Sequence, residues 1–166
     1  KWLVERLVAE DTGAKLDELT IPQLCEKRSK MHFGAKAESQ YQMLSSAYQM
    51  IQAGNYHCPD SFKDILRQYQ ETDSGLDYEY RRFYSAYDRI EDTTAFEPLR
   101  DLVENIYTNE YLATLLPAWN EGLRQEEALA VLPLQRDFYN ANLRYAKERT
   151  VVIISDAMRY EVGQEL

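Results

Sequence analysis

The spacing of apolar residues changes once along this chain, near its carboxyl end, and that change constrains the fold more than any other feature. Up to about residue 148 the apolar residues recur at helical spacing, most clearly over residues 76–90. Residues 150–155 are instead β-branched and apolar in succession, which is typical of a central strand in a parallel sheet. We therefore predict a mainly α-helical region at 1–148 and the edge of an α/β domain at 149–166.

Several more segments of the first region have helical spacing, and their boundaries carry turn or capping residues. These segments cover residues 41–51, 62–69, 99–106, 112–123 and 134–145. Asp60 or Ser61 can cap the second of them, while Thr94 and Glu97 have the spacing of a capping box before the third. Pro117 is expected to kink or split the fourth.

Glycines at the joints between the early helices leave two helical architectures open. Gly13, Gly34, Gly54 and Gly75 follow one another at intervals of 20 or 21 residues, and an Asp-Ser-Gly run precedes the helix at 76–90. Such spacing suits an array of helical hairpins, as in tetratricopeptide-like solenoids. Evenly spaced helices of ordinary length would produce the same glycines, so a multi-helix bundle fits equally.

The composition of the chain argues against some classes of binding partner. The formal net charge is −9 and the pI about 4.8, which argues against direct binding of nucleic acid. Arg144, Lys147 and Arg149 could form a local basic patch, but a solvated helix end explains them more simply. No apolar run approaches membrane-spanning length, and two cysteines without a spacing framework suit a reducing cytosol.

Two histidines and two cysteines offer atoms that zinc could use. They are Cys25, His32, His57 and Cys58, and their spacing matches no known ligand pattern. We therefore interpret them as an ordinary turn with buried cysteines.

Asp156 is the position where the sequence itself suggests chemistry. It directly follows the predicted strand, and ligands of open α/β sheets gather at the carboxyl ends of strands. A carboxylate there can hold a divalent cation. It can equally cap the helix that follows, and spacing alone does not separate the two roles.

Residues 151–161 closely resemble the start of the PglZ domain, a member of the alkaline-phosphatase superfamily. The run Asp-Ala-Met-Arg-Tyr-Glu at 156–161 departs from the usual family form only by Met in place of Leu. Residues 80–84 and 102–109 also resemble the helical region before that domain. The resemblance implies that Asp156 binds the catalytic metals, as the aspartate at the end of the first core strand does in that superfamily.

The chemistry implied by the resemblance is phosphoryl or sulfuryl transfer assisted by two divalent cations, zinc or magnesium, with a Ser or Thr nucleophile. In the superfamily the nucleophile and the other ligands lie further along the chain. We therefore expect a fragment that is catalytically incomplete and holds no metal, cut from a metal-dependent phosphatase or phosphodiesterase. Arg159 is a candidate for contact with a substrate phosphate, although an ion pair with an acidic neighbour is favoured, and Ser155 is interpreted as structural.

PglZ proteins belong to BREX-type bacteriophage-defence systems, which implies a cytoplasmic prokaryotic protein. The helical region would then dock other defence subunits, and the strand at 150–155 could join copies of the chain. The alternative is a stand-alone helical-repeat module for protein interaction with no enzymatic role, in which the strand-like segment is incidental.

Overall fold

A computed structural model describes residues 1–32, 34–124 and 132–166, and these residues are mainly α-helical, which confirms the predicted class. The helices are α1 (Trp2–Val8), α2 (Ile21–Ser29), α3 (Glu38–Gln52), α4 (Phe62–Gln68), α5 (Ser74–Tyr87), α6 (Glu97–Asn105), α7 (Ala113–Arg124) and α8 (Tyr160–Gly163). Short 3-10 turns occupy Gly34–Ala37, Thr94–Phe96 and Gln135–Asp137. No helix in the described ranges is both long and apolar enough to cross a membrane.

Two pairs of these helices are continuous, because a wide π segment joins their members. Tyr69–Asp73 connects α4 to α5, and Ile106–Leu112 connects α6 to α7. The break predicted at the Asp-Ser-Gly run is therefore wrong. The carboxylate of Asp73 does not cap a new helix, because it accepts hydrogen bonds from the side chains of Tyr56 and Gln68.

The predicted helix starts are right in one case and wrong in another. Ser61 caps α4, since its hydroxyl accepts a hydrogen bond of 3.1 Å from the backbone N–H of Asp64. The capping box predicted at Thr94 does not form: its backbone N–H donates to Asp92, and α6 starts only after Phe96. Pro117 lies inside α7, five positions after the π segment ends at Leu112, and it does not split the helix.

The core decides between the two helical architectures. Helix α3 packs against α1, α2, α5 and α6, whereas in a solenoid each hairpin contacts only its sequence neighbours. The structure is therefore a bundle around α3. Its most deeply buried apolar side chains are Leu7, Ile21, Met43, Ala47, Met50, Phe83, Leu99 and Val103.

A second, smaller core lies where α4 packs against α7. Its buried members are Ile65, Tyr111 and Leu115, and Trp119 packs on its edge. The second π segment supplies Tyr111 to this core, and Tyr69 of the first meets Trp119 at its edge, with ring centroids 6.1 Å apart.

A small hairpin was missed by the sequence analysis. Strands β1 (Lys15–Leu16) and β2 (Leu19–Thr20) pair in antiparallel register. The two residues of the turn, Asp17 and Glu18, have φ angles of 50° and 63°, as a type I′ turn requires. The usual Asn-Gly or Asp-Gly signature is absent, which is why the hairpin escaped prediction.

Two predictions near the carboxyl end differ from the structure. Residues 150–155 pair with no strand in the part of the chain that is described, and Ile153 and Ile154 are 88% and 81% exposed. Residues 134–145 form an exposed 3-10 turn and a π segment, Tyr139–Leu143, where a packed α-helix was predicted. In both places the apolar residues find no surface to pack on, and short helices depend on such packing.

Candidate functional site: the 156–161 motif and its seat on α5

Asp156 lies exposed in a turn between residues 150–155 and α8. The next residue, Ala157, has a φ of 54°, a left-handed conformation that costs a non-glycine residue about 1–2 kcal/mol. Helix α8 begins at Tyr160 and takes Arg159 as its N-cap. Asp156 therefore does not cap α8, and the capping interpretation is wrong for this structure.

The last residue of the motif is buried, although it is charged. Glu161 is 4% exposed, and its Oε1 lies 3.0 Å from the Nε of Arg81 on α5. A buried carboxylate without a cation would be strongly destabilising, so Arg81 is what allows Glu161 to lie there. The sequence analysis did not single out either residue, because their separation of 80 positions gives no local signal.

Gln164 provides a second attachment just beyond α8. Its amide N–H donates to the backbone carbonyl of Gln70 at 3.3 Å, and its side-chain oxygen accepts a bond of 3.1 Å from the hydroxyl of Ser74. Gln70 lies inside the π segment and Ser74 directly follows it. The motif and Gln164 thus lie on the α4–α5 helix, from its irregular part onward, where they contact Gln70, Ser74 and Arg81. We call these three residues the seat of the motif.

Asp77 is a partly buried carboxylate next to this seat. The hydroxyls of Tyr69 and Tyr107 donate to it at 2.7 Å and 2.9 Å. Burial raises the pKa of Asp77, against the opposing effects of these two bonds, and the charge of Glu161 raises it further. The charge of Arg159 acts in the opposite direction and lowers the pKa of Asp77.

A second polar network joins the two π segments. Asp73 accepts hydrogen bonds from Tyr56 at 2.8 Å, Gln68 at 3.2 Å and Thr72 at 3.1 Å. The ring of Tyr111, from the other π segment, meets that of Tyr56 edge to face at 4.9 Å. Burial and the nearby carboxylates raise the pKa of both tyrosines, so both hydroxyls stay protonated at neutral pH.

Two curated proteins are similar to the chain. The "Alkaline phosphatase-like protein PglZ" of Bacillus cereus (strain H3081.97) is 38% identical over 150 residues, which is 84% of this chain and 18% of that protein. The "Alkaline phosphatase-like protein BrxZ" of Escherichia coli O9:H4 (strain HS) is 31% identical over 184 aligned positions, 99% of this chain and 21% of that protein. The chain belongs to the PglZ-type alkaline phosphatase-like proteins.

This PglZ-type chain spans about a fifth of the length of the two curated relatives. No protein-family model matches it, and no solved structure matches it significantly. The alignment with BrxZ includes nearly the whole chain, so the helical region is shared with that relative and the similarity is not confined to the terminal motif.

Asp156 fits the role of one metal ligand and leaves the others to be supplied from elsewhere. Its carboxylate is exposed and is not used as a cap, so it is available to a cation. Within the described part of this PglZ-type chain, no three His, Cys, Asp or Glu side chains are grouped so that they could hold a metal ion. The assignment of Asp156 to a metal and of Arg159 to a substrate phosphate stays a prediction.

The other residues considered from the sequence lie apart from the motif. Cys25 is buried in the main core, and burial raises the pKa of its thiol to about 11, so it is neither ionised nor accessible. Cys58 is a free, half-buried thiol near Tyr56. The basic residues Arg144, Lys147 and Arg149 are all exposed.

Proposed function

We propose that this chain is part of a PglZ-type, metal-dependent phosphatase or phosphodiesterase of a phage-defence system, in which Asp156 binds one of two divalent cations. Two features support the proposal. The chain is similar to alkaline phosphatase-like proteins over most of its length, and Asp156 is exposed in a strained turn and does not cap α8. Within the structure, the observation that supports the assignment is the exposed carboxylate of Asp156, which does not cap α8.

The other roles in the reaction would fall to the cations, to Arg159 and to residues elsewhere in the whole protein. The cations, zinc or magnesium, would supply charge stabilisation and an activated nucleophile when bound. Arg159, three residues on and exposed, would contact a phosphate oxygen of the substrate. The nucleophile and the other ligands would come from parts of the whole protein outside residues 1–166, and Ser155 would have only a structural role.

The test is the variant Asp156→Asn in the whole protein that contains this chain. We expect it to retain fewer divalent ions after dialysis, as measured by mass spectrometry. Hydrolysis of bis(p-nitrophenyl) phosphate should fall at least 100-fold, since even outer residues of metal sites cost about 10–100-fold. Asp137→Asn is the matched control, because Asp137 is also exposed and lies in the segment before the motif. Unchanged metal content in Asp156→Asn would contradict the proposal.

We also propose that the helical region docks other subunits of the defence system in the prokaryotic cytoplasm. The tyrosines of α3 to α7 are mostly half-buried or buried, so they hold the bundle together and are poor candidates for a docking surface. The outer face of α7 is a better candidate, because Leu116 and Leu123 are 47% and 41% exposed on it. The acidic net charge of −9 disfavours nucleic acid as the direct partner.

The docking proposal is tested by co-purification of the system's own subunits with the whole protein. The double variant Leu116→Glu/Leu123→Glu should lose them, whereas Val8→Glu, at a similarly exposed apolar residue of α1, should keep them. Retention of the subunits by the double variant would contradict this surface.

A further inference from the structure

We propose that Arg81 is a positioning residue for Asp156: through Glu161 it fixes where the metal-binding turn lies on the helical bundle. The inference rests on the proposed function, because it concerns the placement of a catalytic ligand. It assigns a task in the reaction to a residue of the helical region, some 75 positions before the motif.

The argument begins with what holds the Asp156 turn. On its amino-terminal side, residues 151–155 are exposed and make no strand pairing with the described part of the chain. On its other side, only five positions separate Asp156 from the buried Glu161. The side chain of Glu161 is 3% exposed and that of Arg81 is 33% exposed, so the ion pair anchors the motif through a buried carboxylate.

Two kinds of contact fix the place of α8 on α5. The Nε of Arg81 lies 3.0 Å from Oε1 of Glu161, an ionic contact without the geometry of a hydrogen bond. Gln164, three residues on, bonds to Ser74, about two turns of α5 before Arg81, and to the carbonyl of Gln70 in the π segment. Two attachments on one helix prevent rotation of α8 about either of them.

An anchor of this kind explains why a charged pair is present at all. Replacing a buried ion pair with apolar residues of similar volume is often neutral or stabilising, so stability alone does not require it. Holding a nearby catalytic ligand in one place does require such a contact, because a misplacement of about 1 Å in an active site can cost about 100-fold in rate. Arg81 also offsets the negative charge of Glu161. That charge lies close enough to Asp77 to raise the pKa of the Asp77 carboxyl.

The experiment compares variants of the whole protein with its metal ions bound, using bis(p-nitrophenyl) phosphate as substrate. We expect Arg81→Gln to lower kcat by about 10–100-fold, with KM changed less than about threefold and the same metal content as the parent, by analogy with residues that orient ligands. Arg81→Lys should recover part of kcat. Arg82→Gln is the matched control on the next residue, which is exposed and pairs with Glu79, and it should keep full kcat.

Each outcome has a defined meaning. The proposal is overturned if Arg81→Gln keeps full kcat, or if its loss of kcat equals that of Arg82→Gln. It is also overturned if the exchange variant Arg81→Glu/Glu161→Arg, folded by circular dichroism, recovers no more activity than Arg81→Glu alone. Failure of the proposed function is separate, since it would show as unchanged metal content and activity in Asp156→Asn. Activity lost in Asp156→Asn but kept in Arg81→Gln would refute positioning alone.

Discussion

Gly122 of α7 packs directly against the ring of Phe62 at the start of α4. A Cβ atom at Gly122 would overlap that ring, which is itself buried and meets Trp119 edge to face at 5.5 Å. Gly122→Ala should therefore force α4 and α7 apart, at a cost of about 1–3 kcal/mol. Urea unfolding followed by circular dichroism measures this cost.

The control for Gly122 is a helical glycine with space around it. A Cβ at Gly75, in the first turn of α5, would meet nothing within 4 Å. Gly75→Ala should leave the free energy of unfolding unchanged or raise it by up to about 1 kcal/mol. Equal effects of the two substitutions would contradict the α4–α7 packing.

Ser61 and Thr94 give a paired test of helix capping. Ser61→Ala removes the hydrogen bond to the backbone of Asp64 and should cost about 1 kcal/mol in the free energy of unfolding. Thr94→Ala should cost much less, because Thr94 does not cap α6. A larger cost for Thr94→Ala would show that its capping box forms in solution.

Asp77 should give the protein a measurable dependence of stability on pH. Burial raises its pKa, so the folded state holds the proton to a higher pH than the unfolded chain does. The contribution of Asp77 to the free energy of unfolding is therefore largest at low pH and falls as pH rises through the raised pKa. In Asp77→Asn this fall should be absent when urea unfolding is compared between about pH 4 and pH 7. A constant difference between the two proteins over that range would contradict the shift.

Glu104 should show the opposite dependence. Hydrogen bonds donated by Tyr84 and Tyr80, at 2.7 Å and 2.8 Å, lower its pKa. Its contribution to stability is present at neutral pH and is lost as pH falls through the lowered pKa. Glu104→Gln should therefore lose stability relative to the parent at pH 7 and approach it in acid, in the same urea series.

Residues 150–155 should promote association between copies of the chain. Ile153 and Ile154 are almost fully exposed, and an unpaired apolar segment of this kind is a template for strand pairing. The double variant Ile153→Lys/Ile154→Lys should shift sedimentation at high concentration toward the monomer and leave the melting temperature unchanged. Identical sedimentation of variant and parent would rule out this segment as the contact.

The sequence predicted a helix start well where a local cap precedes a buried apolar stripe, as at Ser61 before α4. It also predicted the stripe of α5, which packs against the main core. It failed where the decisive partner is distant in the chain. Asp73 was expected to precede a helix, but Tyr56 and Gln68 occupy its carboxylate, so the helix continues through it. No local pattern reveals such a contact.

The candidate site was likewise predicted only in part. Residue spacing and the family resemblance located Asp156, and the comparisons bear out the family, since alkaline phosphatase-like relatives align over most of the chain. The seat of the motif was not foreseen, because the pairing of Arg81 with Glu161 depends on how α8 folds back on α5. The predicted strand also depends on residues other than its own, since a strand exists only where another strand pairs with it.

The π segment Tyr69–Asp73 gives the α4–α5 helix one residue more than a regular α-helix of the same shape would have. A π turn contains one residue more than an α turn, so deleting any one of its residues would leave an ordinary, unbroken helix. In that regular helix, α5 would be rotated about the helix axis by about 100° relative to α4, given 3.6 residues per turn. Helix α4 would still face α7, but Arg81 would point away from Glu161. The extra residue thus lets α4 face α7 while α5 presents Arg81 to Glu161. A deletion that makes the helix regular would detach the motif.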